Sequence, residues 1–179
     1  IDIKNAVKKA GYKAVELEEE ATGDYDREKK ELAAKRLWNR FIISAVFTVP
    51  LIIVAMGPMV GMPLPGFMDP HHNPLTFALI QLALTLPVLI AGRKFFQVGF
   101  RALFTGSPNM DSLISIGSLA ATAYGLFAIY HIYLGHDHYA HDMYFESAAT
   151  ILTLITLGKY LEAVTKGKTS EAIKKLMGL

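Results

Sequence analysis

Two carboxylates, one methionine and a group of histidines stand out because each falls within or beside a long apolar stretch. Glu146 lies in MYFESAAT and Glu162 in LGKYLEAV, near the two ends of the last apolar segment. A carboxylate inside a membrane span is costly and marks an ion or proton path, unless it is simply an interfacial group among headgroups. The two are 16 residues apart, about 24 Å along a helix and roughly 160° around it. One face of a straight helix therefore cannot present both to a single straight pore. Met110, in SPNMDSL, carries a thioether beside a carboxylate. That pairing suits weak transfer of a soft ion such as Cu(I); the plainer reading is apolar packing at a helix start.

Two loops are rich in metal-binding side chains. The first holds Met56, Met59, Met62, Met68, His71 and His72; the second, HIYLGHDHYAHDMYFE, holds His131, His136, His138, His141 and two aspartates. Histidine, methionine and carboxylate together can bind copper or zinc. No spacing here fixes a coordination geometry, and polar loops that merely tolerate histidine would look the same. A further stretch, RKFFQVGFRALF, follows Ala91-Gly92 and interleaves Arg93, Lys94 and Arg101 with aromatic and aliphatic residues. It fits a helix bent at Gly92 that lies in the cytoplasmic interface. Its basic face could dock an acidic soluble partner or contact anionic lipid.

These residues need apolar helices to position them, and the composition supplies them. Of 179 residues 52% are hydrophobic and 19% charged, with a positive mean hydropathy of +0.31. An average globular domain is about a quarter charged. The net charge of +2 is too small to argue for a nucleic-acid partner, and the absence of cysteine excludes disulfides and cysteine-based metal or redox sites in this chain. The 18 lysines and arginines fall in three groups: ten before residue 41, three in 93–101 and five from Lys159 onward. Four spans of about 20 residues, the length that crosses a ~30 Å hydrocarbon layer, place every one of them on one side. The positive-inside rule then puts both termini in the cytoplasm.

The organisation expected is an all-α membrane protein of four transmembrane helices. Residues 1–20 read as one helix and one strand, the end of a small α/β domain, and 21–37 as a charged linker. The first span covers 38–60. The second covers 75–104, with a kink near 92 and an amphipathic platform over 93–104. The third covers 109–134 and the fourth 143–165, and 166–179 forms a stalk.

Three stretches, GSPNMDSLISIG, MYFESAATILTLITLGKYLEA and KGKTSEAIKKLMGL, closely resemble the amino-terminal membrane region of heavy-metal-transporting P-type ATPases, the copper-exporting branch. The segment AVKKAGYKAVELEEE resembles the last helix and strand of that family's ferredoxin-like heavy-metal-associated domain. The resemblance implies an ATP-driven Cu(I) exporter, of which this chain is one membrane segment in a plasma (inner) membrane. Met110 and Glu162 would form the cytoplasmic loading site, and Glu146 would lie on the exit path. Gly92, Arg93, Lys94 and Arg101 would build a platform that receives the ion from a copper chaperone or the pump's own metal-binding domain. His71, His72, His136, His138 and His141 remain candidates for outer-loop metal contacts.

The family often has a glycine pair at the kink, where this chain has Ala91-Gly92. ATP and Mg²⁺ would act on parts of the pump outside these residues, which contain no phosphorylated aspartate and no Cys-Pro-Cys metal site. No catalytic residue of the phosphorylation cycle is therefore expected in this chain. Two other readings are a non-enzymatic membrane scaffold or accessory metal-binding subunit, and a pump of the same family for Ag(I) or Zn(II).

Overall fold

The apolar segments fold as helices, and a computed structural model describes residues 19–178. Helix α1 spans Glu19–Met56, α2 Pro74–Ala91, α3 Arg93–Phe104, α4 Met110–Tyr133 and α5 Phe145–Leu176. Short 3₁₀ turns at Gly57–Val60, Gly66–Met68 and Asp137–His141 join them, and there is no strand among the described residues. Four helices, α1, α2, α4 and α5, are long and apolar enough to cross a membrane. The helix-and-strand remnant expected over 1–20 falls on 1–18, outside the described residues, and Glu19 and Glu20 already belong to α1.

The charged stretch 21–37, expected as a linker, is helical and continuous with the first span. Most of it is made of good helix formers without proline, and Arg27 Nε bonds the Glu31 carboxylate one turn on at 3.2 Å. Polarity alone had suggested a linker; intrinsic propensity prevails. At the other end α5 runs on through the stretch expected as a stalk, to Leu176. Its 32 residues make about 48 Å of helix, well beyond the ~30 Å hydrocarbon layer.

Helix α5 is the centre of the bundle and packs on α1, α4 and α2. The contact surfaces carry small and hydroxylated residues, which let helices approach closely where water cannot drive association. Ser44, Thr48, Thr85, Thr153 and Thr156 are all buried. Thr48 and Thr153 share a hydrogen bond of 2.8 Å between α1 and α5. Thr85 and Thr156 instead donate to carbonyls one turn back, at 2.7 and 2.6 Å, so neither hydroxyl is left unsatisfied. In the C-terminal half of α4 the tip of the Phe145 ring packs against Gly125, where an added Cβ would come within 2.4 Å of Cζ. On the far side Trp38 of α1 meets Tyr160 of α5 at 4.9 Å between rings.

Helices α2 and α3 are separated by Gly92 alone. Its backbone, φ −82° and ψ 2°, is open to any residue. The junction is only tight: a Cβ there would sit 3.2 Å from Leu152 Cδ2 of α5 and 3.3 Å from the Val88 carbonyl, contacts that a small shift relieves.

Candidate functional site

On the cytoplasmic side, as the basic asymmetry orients the bundle, α3, the start of α4 and the middle of α5 are joined by a set of buried polar contacts. Helix α4 starts at Met110 because Asn109 caps it reciprocally: Ser112 N donates to Asn109 Oδ1 at 3.0 Å, and Asn109 N to Ser112 Oγ at 3.2 Å. The same Ser112 hydroxyl donates to the Gly99 carbonyl of α3 at 2.7 Å. One turn on, Ser115 Oγ reaches the Phe95 carbonyl at 2.9 Å. Gly99 makes this approach achievable, since a Cβ there would lie 2.3 Å from the Asp111 carbonyl oxygen. The amphipathic helix is thus clamped edge-on to α4 through backbone carbonyls.

Asp111, buried in the first turn of α4, takes Lys159 of α5 as counter-charge, with Nζ 2.9 Å from Oδ1 and 3.2 Å from Oδ2. A carboxylate in the first turn is also favoured by the helix dipole. The Lys159 ammonium lies 5.5 Å from the centre of the Phe95 ring, which brings α3 into the same contact.

Around this frame the expected loading residues take their places. Met110 is the first residue of α4 and 56% exposed, so its thioether is not consumed by packing. Glu162 lies one turn beyond Lys159, exposed, with its carboxylate on the Lys166 ammonium. The Asp111–Lys159 pair therefore joins the first turn of α4, which Met110 opens, to the turn of α5 that precedes Glu162. Arg93 and Lys94 open α3, and Arg101 stands in its last turn; all three are exposed. Gly92 is buried at the junction.

Glu146 sits at the opposite end of α5, half-buried in the first turn beside the fully buried Phe145. Ser147 Oγ donates to its Oε1 at 3.3 Å, while the buried Oε2 has no partner. The histidines divide. His71 and His141 bring the two outer loops together, with ring centres 5.1 Å apart. His72 pairs with Asp69, whose carboxyl is held below its ordinary range, first by the backbone N–H of His71 and then by the His72 ring. His136 and His138 lie 6.2 Å apart between rings, and His138 packs on Tyr139 at 4.3 Å. His131 stacks on the other side of the cluster, 4.8 Å from Tyr139. Among the described residues no three histidine, aspartate or glutamate side chains converge as a metal site.

Sequence reasoning missed Lys159 as the partner of Asp111, Gly99 as the contact point of α3, and Gln81. Gln81 is 2% exposed in mid-span and its Oε1 has no partner. A small residue amid bulky ones in RKFFQVGFRALF was a signal for Gly99; nothing local pointed to the ion pair.

Comparison with known proteins gives one consistent answer. The chain is 37% identical over 179 residues to a "Probable copper-importing P-type ATPase A" of Enterococcus hirae, covering 97% of this chain and 23% of that protein. It is 38% identical over 182 residues to "Copper-transporting ATPase 1" of Rhizobium meliloti, covering 99% and 21%. It is 37% identical over 179 residues to a "Copper-exporting P-type ATPase" of Bacillus subtilis, again covering 99% and 21%. The chain thus spans less than a quarter of the length of these relatives, whose names differ on the direction of transport. No protein-family profile matches the chain. No solved structure matches it either.

Proposed function

From the premise that this chain belongs to the family of copper-transporting P-type ATPases, we propose that it is the segment of an ATP-driven Cu(I) exporter that receives the ion on the cytoplasmic side and leads it outward. The observation that carries this reading is the clamp between α3 and α4. The basic amphipathic helix and the exposed thioether of Met110 belong to one rigid unit, held by Ser112, Ser115 and Gly99. A carrier docked on Lys94 and Arg101 would find Met110 at a fixed distance.

The transfer is ligand exchange without redox change. Cu(I) leaves soft ligands of a copper chaperone, or of the pump's own metal-binding domain, for the Met110 sulfur, a soft donor that binds it weakly. Glu162 then supplies charge, exchanging its Lys166 partner for the ion. The ion passes inward to donors beyond this chain and leaves past Glu146, whose unpartnered oxygen is free to accept it. ATP, with Mg²⁺, phosphorylates an aspartate elsewhere in the pump and drives alternating access. The setting is the plasma (inner) membrane with both termini cytoplasmic, which the wholly one-sided distribution of lysine and arginine supports. Met110, Glu162, Glu146 and the platform residues Gly92, Arg93, Lys94 and Arg101 are the residues assigned to these roles.

The test is made in the whole pump. Met110→Leu keeps volume and apolarity, and Glu162→Gln keeps shape without charge. Each should depress Cu(I)-stimulated turnover under limiting carrier, while phosphorylation from inorganic phosphate, which needs no metal access, persists. Parental turnover in both variants would leave the two residues as packing and interfacial groups. Ion uptake into inside-out vesicles, rather than out of them, checks the direction.

A further inference from the structure

A membrane-depth groove of about 430 Å³ opens between α2 and α4 at the point where α2 gives way to α3. Leu86, Ile90 and Phe96 form one wall, Leu119 and Thr122 the other, and Arg93 stands at its end. Leu86 and Ile90 follow one stripe of α2, and Arg93, the first residue of α3, lines the same groove, so an apolar track meets a cation. Thr122 adds no polar demand, because its hydroxyl donates to the Ser118 carbonyl at 2.8 Å. Leu86, Ile90 and Leu119 are roughly half exposed or more, so the walls face outward from the bundle.

The length of the groove is informative. Arg93 lies at the cytoplasmic level that the basic residues define. Leu119 and Thr122 lie 9 and 12 residues beyond Met110, about 14 and 18 Å into the membrane along α4. The groove therefore runs from the inner interface to about the midplane of a ~30 Å hydrocarbon layer, one leaflet deep. An aqueous peptide or a free anion has no access to such a depth, whereas a phospholipid acyl chain has that reach and brings a phosphate to the cation at its end.

We infer that this groove is a binding site for one anionic phospholipid of the inner leaflet, its acyl chain along Leu86, Ile90, Leu119 and Thr122 and its headgroup phosphate on Arg93. Charge complementarity chooses the occupant: among the described residues no carboxylate pairs with Arg93, and basic residues at this level attract anionic headgroups. The inference divides the cations of α3 and moves Arg93 from the carrier-receiving face proposed above to a lipid-holding one. Lys94 and Arg101 are seven residues apart and so share a face to within about 20°, whereas Arg93 is turned about 100° from Lys94. One face is left for a soluble carrier and the other holds lipid beside the hinge at Gly92.

Native mass spectrometry of the purified chain, titrated with phosphatidylglycerol or phosphatidylcholine of identical acyl chains, tests this. One phosphatidylglycerol per chain should be retained with about fivefold preference, the worth of one basic residue at an anionic surface. Arg93→Gln should abolish the preference, Arg93→Lys should keep it, and Lys94→Gln should leave it intact. Leu119→Trp, which fills the groove, should lower occupancy by both lipids. Equal retention of the two lipids overturns the inference, as does equal loss in Arg93→Gln and Lys94→Gln, which would mean a diffuse surface potential. Undiminished occupancy in Leu119→Trp overturns it too, as does a failure to retain any lipid.

Discussion

Lys159 and Asp111, 48 residues apart in sequence, form an ion pair of 2.9 Å that ties α5 to the first turn of α4. Met110 immediately precedes one partner and Glu162 follows the other by one turn. The pair thus links the two helix turns that carry the side chains proposed above for metal loading. Lys159→Met keeps most of the side-chain stem and strands the buried carboxylate, at a cost of about 1–3 kcal/mol. The thermal unfolding midpoint in detergent should fall, and adding Asp111→Asn should recover part of the loss. If the two singles and the double lose stability additively, the residues are not coupled and the contact does not hold the helices together.

The clamp predicts an unequal cost for two glycines. Gly99→Ala forces a Cβ to 2.3 Å from a backbone oxygen that cannot move without α4, costing about 1–3 kcal/mol. Gly92→Ala meets the end of the flexible Leu152 side chain at 3.2 Å and should cost less than about 1 kcal/mol. Gly117→Ala, with open space around it, is the neutral reference. Unfolding midpoints should rank in that order; a larger loss at Gly92 than at Gly99 would place the critical contact at the hinge instead.

Much of this arrangement is legible in the sequence because hydropathy and charge are local signals. The four apolar helices follow from runs free of lysine and arginine, and the helix break at Gly92 coincides with the first cations after the second span. Residues 21–37 misled because a polar composition suits a solvated helix as well as a linker. The ion pair was hidden for a different reason. Asp111 and Lys159 meet only through the packing of α4 on α5, and no periodicity encodes which charge faces which. The histidines show the converse limit: their number is plain in the sequence, but which of them meet is not, since His71 and His141 come together from different loops while His72 faces Asp69.

The topology is checked with single cysteines, a clean experiment in a chain that has none. His72→Cys and His138→Cys both replace exposed residues in the two loops opposite the basic side. Each should react with a membrane-impermeant thiol reagent added outside intact cells, whereas a cysteine at Ser170, beyond the last span on α5, should react only after permeabilisation. Protection of either loop position from outside would require a different number of spans.

The last prediction concerns Lys166, whose ammonium occupies the Glu162 carboxylate one turn away on α5. If Glu162 takes the arriving ion, the lysine competes with it for the same oxygens. An exposed pair at this spacing is weak, so removing the competitor should tighten binding by no more than about twofold. Lys166→Met should therefore lower the Cu(I) concentration that half-saturates turnover in the whole pump, while Lys166→Arg should not. The gain must vanish in the Glu162→Gln background, because there is then no carboxylate to release. A half-saturation that rises in Lys166→Met would mean that the lysine orders Glu162 for the ion rather than opposing it. A gain that survives without Glu162 would mean that Lys166 acts only through general repulsion at the membrane mouth.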